Sequence, residues 1–111
     1  VRVLELTDDW RHVRLRLPLH WASRNPGGSM YGGHQASVAD PIAALACARR
    51  FPGHDVWTRH LAVDFRLPGD SDLELRFDFD PAQEAAIATD LAAHGRADAE
   101  FRYGLYRDDG R

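Results

Sequence analysis

Residues 73–80 read Leu-Glu-Leu-Arg-Phe-Asp-Phe-Asp, a strict alternation of apolar and charged side chains. Successive side chains of an extended strand point to opposite faces, so Leu73, Leu75, Phe77 and Phe79 share a buried face while Glu74, Arg76, Asp78 and Asp80 meet water. A sheet wet on one side is characteristically antiparallel. The same rhythm recurs at Val13, Leu15 and Leu17 around Arg14 and Arg16. The turn residues Thr7-Asp8-Asp9 join this stretch to strand-like Val1–Leu6, which predicts a hairpin with one buried face. Two further strands are expected, one long at Val56–Leu67 and one at Ala97–Arg107 with Ala99, Phe101, Tyr103 and Leu105 on one face.

Between the strands lie two helices. Ala36–Arg50 carries small or apolar residues on every side of a helical wheel, so this helix is expected to be buried all round, with a sheet wrapped closely about it. The second opens with Asp80-Pro81 and Gln83, the pattern of a capping box with proline at the first helical position, and closes at about His94 before Gly95. The expected order is strand, strand, buried helix, strand, strand, surface helix, strand. This is the α+β class, an antiparallel sheet around a central helix.

The bulk properties narrow the partners. At 111 residues the chain is read as one domain with one core. A formal charge of -3, with 14 basic and 17 acidic residues and no basic cluster, argues against nucleic acid. Cys47 stands alone and has no internal disulfide partner, which points to a reducing cytoplasmic setting. The apolar run Ala36–Ala48 is shorter than the ~20 residues of a bilayer span and contains Asp40 and Pro41, so a soluble protein is expected. Asp108-Asp109-Gly110 is a hairpin-turn signal with Arg111 alone after it, and a further strand is expected beyond it.

Chemistry concentrates around Asp40, the one charged residue between Ala36 and Ala48. Burial of an unpartnered carboxylate costs several kcal/mol (roughly, by transfer estimates) or raises its pKa, so its presence calls for a reason. One is general-base work on water. The other is structural, Asp40 capping a helix that starts at Pro41. Upstream, Met30-Tyr31-Gly32-Gly33 leads into the helix, and backbone N–H groups at a glycine-lined helix entrance suit a developing oxyanion. The pair could equally serve only to turn the chain between layers. Neither a Gly-Lys-Ser/Thr phosphate loop nor a GxGxxG dinucleotide motif is present.

The stretch Asn25-Pro26-Gly27-Gly28-Ser29-Met30-Tyr31-Gly32-Gly33, followed by Ser37-Val38-Ala39-Asp40, resembles the hotdog-fold thioesterases of the PaaI-like type, and more closely their DUF4442 branch. That pattern has an Asn, six residues later a His-Gly-Gly, and an acidic residue nine after the His; Asn25, Tyr31-Gly32-Gly33 and Asp40 keep the spacing. Val56-Trp57-Thr58 through Val63–Gly69 resembles the strand that follows, so the likeness spans nearly the whole chain. Two departures stand out. Tyr31 replaces the His, and the terminal helix and final strand usual in the family are not matched.

The resemblance implies a homodimer, with dimers able to pair again into tetramers, and a site between Asn25 and Gly33 of one chain and Asp40 and Thr58 of the other. The implied activity is hydrolysis of a small-to-medium acyl-CoA thioester, coenzyme A entering as part of the substrate and no separate cofactor being needed. In it the Gly33 N–H polarises the thioester carbonyl, Asn25 positions the carbonyl or water, Asp40 activates water or attacks, and Thr58 orients it. Tyr31, Gly32, His34 and Arg59 are candidate substrate contacts. His34 is a candidate to compensate for the lost His or is simply a first-turn surface residue. Arg49, Arg50 and Arg59 are candidates for coenzyme A phosphates, although Arg49 and Arg50 also complement a helix C-terminus.

His20, His34 and His60 match no zinc spacing, and no metal is assigned. Trp10, Trp21, Trp57, Tyr31 and the strand Phe residues are read as core and dimer contacts. Two other functions stay open: a catalytically silent hotdog that binds acyl groups or assembles, and a hotdog hydratase or dehydratase, which requires a positioned His-acid pair.

Overall fold

The computed structural model describes residues 1–110. Its elements, in chain order, are β1 (Arg2–Leu6), β2 (His12–Leu17), α1 (Gly32–Arg50), β3 (Leu73–Asp78), α2 (Pro81–His94) and β4 (Gly104–Tyr106). The four strands form one antiparallel sheet in the order β1-β2-β3-β4.

The alternation in the sequence becomes the two faces of this sheet. Register sets Val13 opposite Phe77, Leu15 opposite Leu75 and Leu17 opposite Leu73, and all six are buried. α1 lays Gln35, Ala39, Ile42 and Ala46 on that face. On the wet face Arg14 lies opposite Arg76, a repulsive register. It is offset because Arg14 pairs with Asp78, while Arg76 pairs with Glu74 and stacks on the Tyr106 ring at 4.3 Å.

α2 follows its end signals. The Asp80 side chain accepts from the Ala82 N–H at 2.9 Å, Pro81 holds the first position, and Gly95 closes the helix in the left-handed region at φ 72. The other half of the expected capping box is absent, since the Gln83 amide reaches forward to the Glu100 carbonyl instead of back to the cap. Beyond Gly95 a Cβ would meet nothing within 4 Å, so only the backbone conformation resists substitution there. Gly95→Ala is expected to lower stability by about 1 kcal/mol, read as a urea midpoint shift with unchanged slope.

Four expectations are corrected. First, Val56–Leu67 carries no strand: it runs beside α1, with Thr58 at the Asp40 carbonyl and Phe65 against Gly32. A strand exists only as one member of a hydrogen-bonded ladder, and this segment joins none within the chain. Second, α1 begins at Gly32, not at Ala36 or Pro41, so Asp40 sits mid-helix and caps nothing. Third, α1 is buried along one stripe, not all round; Leu45, for instance, is 47% exposed. Fourth, the last strand contracts to Gly104–Tyr106, although Phe101 and Tyr103 still pack on the core. Among the tryptophans, Trp10 packs on the core, whereas Trp21 and Trp57 are exposed. Arg111 and its expected continuation lie outside the described residues.

One carboxylate ties the sheet to the loop that leads to the glycine entrance. Asp72 accepts from the Leu19 N–H at 2.7 Å and from Arg16 at 2.9 and 3.1 Å. The Leu19 amide, and then the Arg16 guanidinium, hold its carboxyl below the ordinary carboxylate range. A depressed folded pKa contributes stability above the unfolded value, near 3.9, which is lost as pH falls through the folded value. Asp72→Asn is therefore expected to cost roughly 1–2 kcal/mol at neutral pH, the gap to wild type narrowing below about pH 4. Urea denaturation of both proteins at several pH values measures it, and a gap independent of pH would refute it.

Candidate active site

The glycine entrance is built by a loop that bonds to itself. Asn25 Oδ1 accepts from the N–H groups of Gly27 and Ser29, both at 3.0 Å, and the Asn25 N–H donates to the Ser29 carbonyl at 2.7 Å. Met30, buried at the end of the loop, donates its N–H to the Gly69 carbonyl at 2.9 Å, and Tyr31 donates its N–H to Ser23. α1 starts immediately afterwards. Its cap residue Tyr31 offers no side-chain bond and its first turn holds no acidic residue. The Gln35 N–H reaches the Tyr31 carbonyl, so helical geometry itself supplies no acceptor for the N–H groups of Gly32, Gly33 and His34. A Cβ on Gly33 would meet nothing within 4 Å, which leaves open space beside its backbone.

Gly32 lies under a ring. A Cβ there would stand 2.9 Å from the Phe65 ring, which lies across the helix entrance. Asn25, Met30, Gly32, Gln35, Phe65 and Leu67 line a cleft of about 260 Å³ at this point. Gln35, which the sequence reading passed over, is buried and donates its amide to the Met30 carbonyl at 3.2 Å, locking loop to helix.

Asp40 lies further along the same helix. Its Oδ1 is buried and accepts no hydrogen bond within the chain. The Thr58 hydroxyl donates to the Asp40 backbone carbonyl at 3.4 Å. The Tyr103 hydroxyl donates to the Ala39 carbonyl next door. The alternation of the last strand marks Tyr103 only as a core-face residue; the further signal in the sequence is that a buried phenol needs a partner for its hydroxyl.

The structure thus brings Asp40 together with Thr58, and Asn25 together with Gly32. It does not bring the two groups together within one chain. Asp40 lies seven positions along the helix from Gly33, a rise of about 10 Å. Tyr31 is 47% exposed, and His34 is half-buried in the first turn. Arg59 extends into solvent and pairs with Asp98 at 3.2 Å. Arg49 donates to the Asp8 carbonyl, while Arg50 is held by Glu84 and Asp9. Among the described residues no three His, Cys, Asp or Glu side chains form a group that could hold a metal ion, and no helix is long and apolar enough to cross a membrane.

No curated protein matches the chain in sequence. The fold matches that of PA5026 from Pseudomonas aeruginosa, a protein of unknown function described as a probable thioesterase, with a TM-score of 0.78 and 20% identity over 99% of this chain and 73% of that one. At that identity the likeness is one of fold, an antiparallel sheet with a central helix of the hotdog kind. The family model for the domain of unknown function DUF4442 matches residues 1–110, and the chain belongs to that family.

Proposed function

We propose that this protein is a thioesterase-like hotdog subunit that hydrolyses acyl-CoA thioesters at a site shared between two copies. The observation that carries the reading is the Asp40 carboxylate, whose Oδ1 is shut from water without a partner. Structural carboxylates have their buried oxygens satisfied, and one that does not is free to take a proton from a reactant. Within one chain the glycine entrance and Asp40 are too far apart to act on a single carbonyl. A two-fold pairing answers this by setting the entrance of one chain beside the Asp40 of the other.

The apolar surface of residues 56–67 supports such a pairing. Trp57 is 74% and Phe65 56% exposed, and a contiguous run of this kind favours cover by protein. The radius of gyration is 15.4 Å, above the ~13 Å of a compact domain of similar length, which also suits a subunit completed by another.

In this reading the Gly33 N–H polarises the thioester carbonyl, with Asn25 at the rim of the cleft. Asp40 accepts a proton from water as the water oxygen bonds to the carbonyl carbon, or the carboxylate attacks that carbon itself. The C–S bond then breaks, sulfur keeps the electron pair, and the thiolate of coenzyme A takes up a proton; where the carboxylate attacks, water then cleaves the resulting anhydride, releasing the acid and restoring Asp40. Coenzyme A arrives with the substrate, and the reading invokes no separate cofactor.

A second reading, an acyl-binding protein without turnover, draws on Asn25. Its side-chain oxygen is already committed to Gly27 and Ser29, and Tyr31 stands where the PaaI-like pattern has His. A thiol-release assay over acyl-CoAs of graded chain length, joined to a solution mass measurement, separates the two. Turnover by a dimer is the expected result. Tight binding with no thiol release would favour the second reading, and full turnover by a monomer would remove the shared site.

A further inference from the structure

The turn of α1 that carries Asp40 is weakened from within and held from outside. Pro41 lies inside the helix and has no N–H, so the Ser37 carbonyl lacks the donor that would ordinarily come from four residues on. Two side chains from distant parts of the chain bond to carbonyls two and three residues further on. The Tyr103 hydroxyl donates to the Ala39 carbonyl, and Thr58 Oγ1 donates to the Asp40 carbonyl at 3.4 Å. A carbonyl oxygen has two lone pairs, so these bonds add to the helical ladder without displacing it.

The Asp40 carboxylate has no such anchor, because its buried Oδ1 accepts nothing. Its direction is therefore set by the backbone that carries it. The Tyr103 ring in turn is aimed by the core: it stands edge-on to Phe77, 5.1 Å between centroids and 85° between planes, and Phe77 is 1% exposed. Burial pushes the Tyr103 phenol above its ordinary value; the Ala43 backbone opposes this and the nearby Asp40 charge adds to it. The hydroxyl accordingly keeps its proton, and its role as donor, at neutral pH.

We propose that Tyr103 is a positioning residue, which acts through the Ala39 carbonyl to fix the helical turn before Pro41 and so the direction in which Asp40 presents its carboxylate. The consequence for rate rests on the thioesterase-like reading; the contact and its effect on Asp40 do not.

Tyr103→Phe keeps the ring and removes the hydroxyl. The expected result is a fall in kcat of about tenfold with KM changed less than about twofold, together with a displaced carboxyl carbon resonance for Asp40. Tyr106→Phe, on the edge strand and stacked on Arg76, is the control and leaves all three readings at wild-type values. A Tyr103→Phe protein that melts earlier but keeps wild-type kcat and an unmoved Asp40 resonance would overturn the proposal, because only stability would then depend on the hydroxyl. If the wild-type protein hydrolyses no acyl-CoA, the proposed function fails while the Asp40 resonance still decides the role of Tyr103. If Tyr103→Phe does not fold, the wild-type protein gives the answer: the Ala39 carbonyl carbon should resonate downfield of that of Ala46 through its additional bond, and equal positions would overturn the proposal.

Discussion

Asp40→Asn is expected to lower acyl-CoA hydrolysis by about 10²–10⁴-fold, the usual contribution of a general base, while leaving the fold intact. The amide is nearly the same size and shape as the acid but cannot accept a proton from water or form an acyl-enzyme. KM should change little, because in the shared site the groups that hold the substrate, the Gly33 amide and the cleft beside Gly32, belong to the other copy and are left as they are. Stability should hold or rise by about 1 kcal/mol, since Oδ1 is buried without a partner and a neutral amide is cheaper to keep there. A carboxylate retained for structure would give the reverse pattern, a loss of stability with activity preserved. The decisive measurement is steady-state thiol release beside thermal melting for both proteins. Full hydrolysis of every acyl-CoA by Asp40→Asn would take this residue out of the mechanism.

What could be read from the sequence follows from how far each structural cause reaches along the chain. α2 was legible to the residue because both of its ends are local events, a carboxylate bonding two residues ahead at Asp80 and a left-handed glycine at 95. β2 and β3 were legible because burial of one face imposes a two-residue period on the side chains that build it. Residues 56–67 show the same period and yet join no ladder in the chain, since periodicity records which faces are apolar and not what hydrogen-bonds to the edge. The start of α1 was missed for a different reason. Two glycines read as loop, each costing about 1 kcal/mol in a helix, but here the Phe65 ring packs against Gly32, and the Gln35 amide draws the first turn back to Met30.

The candidate site divides in the same way. Asn25, Tyr31-Gly32-Gly33 and Asp40 form a spacing that survives in the linear sequence, and the resemblance supplied Thr58. The Tyr103 contact with Ala39 spans 64 residues and depends on how the segment before β4 lies against α1, so no local pattern announces it. Asp40 shows both sides: its isolation among small residues was visible at once, while the choice between base and cap needed the helix boundary at Gly32.

Phe77→Ala is the substitution expected to cost most in stability, about 3–5 kcal/mol. Phe77 is 1% exposed on the buried face of β3, opposite Val13, and its ring meets Phe79 at 6.1 Å, Phe101 at 5.9 Å and Tyr103 at 5.1 Å between centroids. Two of these partners, Phe101 and Tyr103, belong to the stretch where the expected last strand shortens to three residues. With few ladder bonds to hold it, that stretch is fixed chiefly by its rings, so a cavity at residue 77 frees it as well as emptying the core. Small domains have only about 5–15 kcal/mol in total, and the variant should unfold in urea at a much lower midpoint or fail to fold at all. Leu4→Ala, on exposed β1, should change stability by less than about 0.5 kcal/mol and serves as the comparison. Under conditions where Phe77→Ala remains folded, hydrogen exchange should rise first in residues 99–106 and then in the turn of α1 around Ala39, because the Tyr103 hydroxyl joins the two. Equal midpoints for the two variants would show that the core is not organised about this ring.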